Sequence, residues 1–304
     1  MTFEDSFRSW RRNMKARMPY VRRREFTILQ RKYNELADGL GWLATPANVA
    51  RLNPIKPIAQ PLDGEVCLFV THAAAPRLKP HVVLHVEHLL RAGVHVVLIL
   101  NTDLAASDFS IDQDLTEKLS GIFVRENLGF DFAAWAHLFS VCDRQHWSRL
   151  YLVNDSIVGP LDSADFQRLI ERIRSSPADL VGLTESQHPL PHLQSFFMAF
   201  NAPALHGPIV RDVFARVLNL PTKAQVIDVY ETRMTRELLR QGLRTEALFE
   251  PLSNDRHAAN DTFFRWDRLL DAGFPYVKAS VLIEFGDTSA VRARVPADLL
   301  PSRP

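Results

Sequence analysis

The chain has 304 residues, 46% hydrophobic and 23% charged, with a formal net charge of +1. That balance suits one large globular domain, or one domain with appendages, and gives no global field that would draw nucleic acid. Two cysteines, Cys67 in "EVCLFV" and Cys142 in "LFSVCD", sit in apolar contexts without CxxC or Cys/His metal spacing, and read as reduced core thiols of a cytosolic protein.

Residues 1–35 hold ten Lys and Arg against four Asp and Glu, and Phe3, Phe7, Trp10, Met14 and Met18 recur among them at three- to four-residue spacing. The pattern predicts a basic amphipathic helical segment over 1–42. Such a helix lies on an anionic membrane surface or packs on the main domain with its charges in water. No hydrophobic signal core opens the chain and no apolar run approaches the roughly 20 residues of a membrane-spanning helix. The expected location is therefore the cytoplasm, with peripheral attachment to the inner face of the cytoplasmic membrane through residues 1–35.

Residues 43–64 carry four prolines and no clear period, and read as a connector. From Glu65 the pattern alternates. "EVCLFVTH" (65–72) reads as a strand, "PHVVLHVEHLLRAG" (80–93) as a helix, "VHVVLILN" (94–101) as a strand and "DQDLTEKLSG" (112–121) as a short helix. A strand "IFVREN" (122–127), a helix "FDFAAWAHLFSVC" (130–142), a strand in "LYLVNDSIVGPL" (150–161), a helix (163–176) and a strand "ADLVGLTE" (178–185) follow. Strands alternating with helices imply βαβ units and a mostly parallel sheet flanked by helices. The second half reads as an aromatic strand (193–201), helices over 203–218 and 224–241, a strand (244–250), a helix (261–273) and an extended segment (275–285). Residues 65–285 are the expected catalytic domain and 286–304 a tail.

Four polar clusters end apolar strands: Thr71-His72, Arg125 to Asp131, Asn154-Asp155-Ser156 and Thr184-Glu185. In a parallel sheet all four share one edge, where open α/β sheets bind ligands. A carboxylate beside an amide ligates a hard cation or accepts hydrogen bonds from sugar hydroxyls, although the same residues also simply form turns. In "RENLGFDFAAW", Gly129 permits a tight turn, Asp131 falls at a helix N-terminus where it either caps or binds, and Trp135 reads as core or site. No GxGxxG follows the first strand, where "VTHAAAP" stands, which argues against a dinucleotide-binding reductase.

"RENLGFDFAAW", "LYLVNDSIVGPL", "LVGLTE", "HLQSFFMAFN", "VIDVYETRMTRELL" and "WDRLLDAGFPYVKASVL" occur in an order and spacing that resemble the rhamnan synthesis protein F family, over roughly Cys67 to Ile283. The resemblance implies a GT-A-like, Rossmann-type glycosyltransferase with an N-terminal helical extension. It would use a nucleotide-sugar donor such as dTDP-L-rhamnose and a glycan or lipid-linked glycan acceptor, in bacterial surface polysaccharide or O-antigen assembly. By position Asn154-Asp155-Ser156 resembles the metal-binding D-x-D motif of that fold. Only Asp155 is acidic, so it either holds a divalent cation (magnesium or manganese) or contacts the donor with no metal. The resemblance implies donor contacts from His72, Arg125, Asn127, Gly129, Asp131, Asn154, Ser156 and Lys278, with Asp155 and Glu231 catalytic. Glu231 would be the general base, with Asp228 its competitor. Glu185, His192, Gln194 and Ser195 fall on the acceptor side. The rival implication is a non-catalytic carbohydrate-binding or scaffolding subunit.

Overall fold

The computed structural model describes residues 44–59, 61–187, 190–252 and 260–300. Contacts divide the chain into two units, Met1–Thr45 and Pro46–Pro304. The basic segment expected over 1–42, and its membrane contact, lie outside the described residues.

In the second unit the strands are β1 (Leu52–Lys56), β2 (Gly64–His72), β3 (His95–Asn101), β4 (Gly121–Arg125), β5 (Trp147–Asn154), β6 (Ile157–Val158), β7 (Leu180–Ser186), β8 (His192–Leu193), β9 (Phe197–Asn201), β10 (Thr245–Phe249) and β11 (Val277–Lys278). The main sheet runs β1-β4-β3-β2-β5-β9-β7-β10, with β8 on β7, and β6 pairs with β11 separately. β2 lies parallel to β3 and β5, β3 to β4, and β7 to β10, whereas β9 runs antiparallel to both β5 and β7. The carboxyl ends of β2 to β5 and β7 therefore meet at one edge, joined there by the start of the reversed β9. This is the expected α/β class, a mostly parallel sheet flanked by helices.

The strand interiors explain the burial. Cys67 and Phe69, alternate residues of β2, pack with Tyr151 and Val153 of β5 and with two helices, α1 (Pro80–Arg91) through Val82, Val86 and Leu89, and α2 (Ser163–Ser175) through Phe166, Leu169, Ile170 and Ile173. Pro80 opens α1 at a position that needs no N–H, and the Asp162 side chain caps α2 by accepting from Asp165 N at 2.8 Å. The helix Phe130–Val141, apolar on all sides, is buried over most of its length. Trp135 is core: it is fully buried and its Nε1 donates to Leu68 O at 3.0 Å. Cys67 and Cys142 are free and buried, and burial pushes the Cys142 thiol up to about 12.

Several boundaries differ from the sequence expectation. The stretch read as a connector contributes β1, an edge strand antiparallel to β4, where a proline costs no central ladder bond. The strand expected over 193–201 breaks into β8 and β9 around Gln194-Ser195-Phe196. The helix expected over 203–218 is interrupted at His206-Gly207, and that over 261–273 at Arg265. The segment 275–285 is extended only over β11 and continues as the helix Ala279–Phe285. The expected tail carries Val291, Val295 and Leu299 into a second core with Val158, Trp266, Val277 and Val281.

Candidate active site

Against the shared strand edge lies a cavity of about 790 Å³. Its walls include ten of the expected residues: His72, Asn127, Asp131, Asn154, Asp155, Ser156, His192, Gln194, Glu231 and Lys278, together with Ser195. Arg125, Gly129 and Glu185 are not among them.

At the end of β5 the three polar residues are already engaged. Asn154 Oδ1 accepts from Ser156 N at 3.1 Å and from Ser156 Oγ at 2.6 Å, and its Nδ2 donates to Asp131 Oδ2 at 2.7 Å. Asp155 Oδ2 accepts from Thr71 Oγ1 at 2.6 Å and from Lys79 Nζ at 2.5 Å. A divalent cation on that carboxylate would share it with an ammonium group, and the neighbouring amide oxygen has no capacity to spare. No group of three or more His, Cys, Asp or Glu suited to a metal ion occurs among the described residues. The donor set at Asp155 does not fit the divalent cation that the D-x-D resemblance implied.

Asp131 does not cap its helix; Gly129 occupies the N-cap position, and Asp131 Oδ1 accepts from the next residue, Phe132 N, at 3.0 Å. Burial, with the charge of Glu231 added, pushes the Asp131 carboxyl up to about 6 from its usual 3.8, against the opposing pull of Phe132 N–H, Lys223 and Asn154. The folded-state value is raised, so the stability this group contributes is complete below about 3.8 and is lost as pH rises through about 6. The difference in melting temperature between Asp131→Asn and wild type should therefore shift with pH, the variant gaining on wild type between pH 4 and pH 7. A difference in melting temperature that stays constant across that range would contradict the assignment.

Glu231 reaches the cavity on one helical face with Lys223 and Ile227, each four residues apart. The helix expected over 224–241 is observed over 223–240 with a π-helical stretch at Ile227–Glu231, and Lys223, Ile227 and Glu231 all face the cavity. Single π-helical turns inside α-helices are frequent at functional sites. Asp228, the competing carboxylate, lies exposed and outside the cavity wall. Ser195 Oγ donates to Glu231 Oε2 at 2.8 Å, and His192 Nε2 lies 3.7 Å from Oε1. His192 Nδ1 lies 2.6 Å from the Leu190 carbonyl, which fixes the orientation of the ring. Burial alone raises the Glu231 pKa, but hydrogen bonds from His192 and Ser195 and the charges of His192 and Lys278 outweigh it, leaving the carboxyl below its ordinary 4.5. Glu231 is thus held ionised in a site where its lone pairs can take a proton.

Three expected residues act from outside the wall, and one wall residue is committed to the sheet. Arg125 is fully buried and donates to Leu128 O at 2.5 Å, Ala47 O at 3.0 Å and Asn219 Oδ1 at 2.7 Å. It braces the loop from inside and makes no wall of the cavity, which corrects its expected donor contact. Gly129 likewise acts through backbone: its φ is 69°, and a Cβ there would lie 2.6 Å from both Asn219 Cα and Ala133 Cβ. Glu185 stands outside the cavity wall, paired in the β7–β8 ladder and accepting from Gln187 Nε2 at 2.5 Å. Gln194 Oε1 is taken by Thr184 Oγ1 at 2.7 Å, so this wall residue is pinned to β7.

Four wall or near-wall features had no clear signal in the sequence. Lys79 precedes a proline in a loop without a motif. Lys223 and Asn260 belong to elements far along the chain. Asn101, the last residue of β3, donates through Nδ2 to Phe130 O at 3.0 Å and leaves a buried Oδ1 that has no partner among the described residues. Phe130 itself has φ 58°, a left-handed conformation that is strained for an aromatic residue, and its carbonyl is the one that Asn101 holds.

Two Vibrio anguillarum sequences named Virulence protein VirA, one from strain ATCC 68554 / 775, are each 24% identical to this chain over 221 residues, covering 62% of it and 69% of theirs. A solved chain from Desulfovibrio desulfuricans G20, assigned as a nucleotide-diphospho-sugar transferase, aligns with 69% of this chain and 96% of its own at 11% identity. Its TM-score of 0.36 is too low for that likeness to bear on function. Residues 96–299, well over half of the chain, match the family described as Rhamnan synthesis protein F. That span runs from β3 to the second core and takes in all but the first strand of the cavity edge, and on it the chain belongs to the rhamnan synthesis protein F family.

Proposed function

We propose that this protein is a glycosyltransferase that moves a sugar, L-rhamnose or another deoxyhexose, from a nucleotide-sugar donor to a growing bacterial surface polysaccharide such as an O-antigen. The observation that carries the reading is Glu231, an ionised carboxylate held by Ser195 and His192 in a cavity at the carboxyl ends of parallel strands. The antiparallel β9 beside the central β5 is consistent with a GT-A-like sheet.

In this reading the acceptor hydroxyl lies against Glu231, which removes its proton as the oxygen attacks the anomeric carbon. The bond to the diphosphate breaks on the opposite face, and a single displacement inverts the configuration. Asp131, Asn154 and Asn127 line the donor side, and the free Asn101 Oδ1 awaits an N–H or O–H of the ligand. Lipid-linked acceptors would explain peripheral attachment of the basic residues 1–35 to the inner face of the cytoplasmic membrane. Among the described residues no helix is long and apolar enough to cross a membrane.

The test is a panel of nucleotide sugars, including dTDP-L-rhamnose, assayed for nucleoside diphosphate release with and without glycan acceptors. One donor should turn over. Glycan binding with neither nucleotide binding nor turnover would instead support a non-catalytic subunit, a reading favoured only by the incomplete acidic motif at Asn154-Asp155-Ser156.

A further inference from the structure

Resting on the reading of the cavity as a donor site, we propose that the diphosphate of the donor is held by the ammonium groups of Lys79, seated on Asp155, and of Lys278, and that it binds without a divalent cation.

Asp155 is the sole carboxylate in its turn, and the oxygen that faces its partners is used twice, by Thr71 and by Lys79. The pair is partly sheltered, with the Asp155 side chain 18% exposed and that of Lys79 40% exposed. Lys79 is not a freely swinging surface lysine at its root. It is the residue before α1, and its carbonyl accepts from Val82 N at 3.0 Å and Val83 N at 3.2 Å. Its ammonium carries three donors and Asp155 takes one, so hydrogen-bonding capacity remains at the point where a D-x-D metal would otherwise stand. The positive charge that a cation would bring to the carboxylate is already there.

Lys278 supplies the second charge. It lines the cavity, and the β6–β11 pair fixes its backbone opposite Ile157, so it hangs from the same turn that follows Asp155. Its ammonium lies 5.9 Å from the centroid of the Phe196 ring and has no carboxylate or carbonyl partner at bonding distance among the described residues. Burial lowers its pKa, with the charge of Lys223 acting in the same direction and the Glu231 carboxylate opposing both. With Lys223 also on the wall, this side of the cavity offers positive charge to an anion. Lys79 on Asp155 and Lys278 opposite Ile157 bring two ammonium groups to the β5–β6 turn, and a bond from either to a phosphate oxygen would be charge-assisted.

The experiment is calorimetric titration of the full chain with UDP and with dTDP, in EDTA, in Mg²⁺ and in Mn²⁺. Wild type should bind the preferred nucleotide equally well in all these buffers. Lys79→Gln should weaken binding about 10- to 100-fold, the worth of a hydrogen bond to a charged group. Lys79→Arg should keep most of the affinity. Binding that appears only with metal overturns the proposal on wild type alone, whatever the variants do. Unchanged affinity in a folded Lys79→Gln overturns it as well, while leaving the donor site in place. Failure of both nucleotides to bind in every buffer removes the donor-site reading itself, and the proposal with it.

Discussion

Glu231→Gln is expected to lower kcat for sugar transfer by about 10²- to 10⁴-fold, the usual contribution of a general base, while nucleotide affinity stays close to wild type. The amide keeps the length of the side chain and can still accept from Ser195 Oγ, now 2.8 Å from Oε2, but it cannot take a proton. Because hydrogen bonds and neighbouring cations hold the Glu231 carboxyl below its ordinary 4.5, the base is already ionised throughout the neutral range. The acid limb of the kcat profile that belongs to Glu231 should accordingly fall below pH 4.5. Asp228→Asn is the control. Asp228 is exposed and outside the cavity, so its loss should leave kcat unchanged. If Glu231→Gln turns over at the wild-type rate while Asp228→Asn does not, the base has been misassigned. A parallel measurement on Ser195→Ala separates proton transfer from positioning. That variant frees the carboxylate without removing it, so it should reduce kcat less and should raise the apparent pKa of the acid limb.

How far the sequence shows this site depends on the kind of signal each residue leaves. β2 to β5 are short apolar runs bounded by turn residues, and period and length alone place their carboxyl ends on one edge. The clusters at Asn154-Asp155-Ser156 and at Asn127 to Asp131 are legible for that reason. What period cannot show is where a side chain points once it leaves the strand. Arg125 and Asn127 are two residues apart in one polar cluster, yet the first turns into the core and the second lines the cavity. Lys79 and Asp155 lie 76 residues apart and meet only because α1 packs on β2, the neighbour of β5, so no local pattern announces their pair. The π-helical stretch at Ile227–Glu231 is likewise silent, because "VIDVYETRM" has the composition of an ordinary helix. Which of the two carboxylates faces the cavity follows from spacing, since Glu231 and not Asp228 shares the face of Lys223 and Ile227.

Arg125→Met should cost about 3–5 kcal/mol of stability, the sum over several acceptors left unsatisfied at about 1–3 kcal/mol each, and lower the melting temperature by about 6–20 °C. Methionine replaces the stem of the side chain but none of its donors. Leu128 O, Ala47 O and Asn219 Oδ1 would each lose a buried hydrogen-bond partner, and an unsatisfied buried acceptor is expensive. Asn219 is the hub of this arrangement, since its Nδ2 donates to Pro46 O at 2.8 Å and its backbone packs against Gly129. Burial lowers the Arg125 pKa only to about 10, so the guanidinium is charged at neutral pH, and those acceptors, with Glu126 O at 3.2 Å, solvate it in place of water. Loosening this brace frees the loop that carries Asn127, Phe130 and Asp131 to the cavity, so nucleotide affinity should fall together with stability. The pairing of the two effects is what distinguishes a brace from a ligand contact. Were Arg125 to touch the donor itself, Arg125→Met would lose nucleotide affinity while melting near the wild-type temperature. Were it a brace, adding back rigidity by low temperature should recover part of the lost affinity, and differential scanning fluorimetry alongside calorimetry at two temperatures reads both quantities on the same preparation.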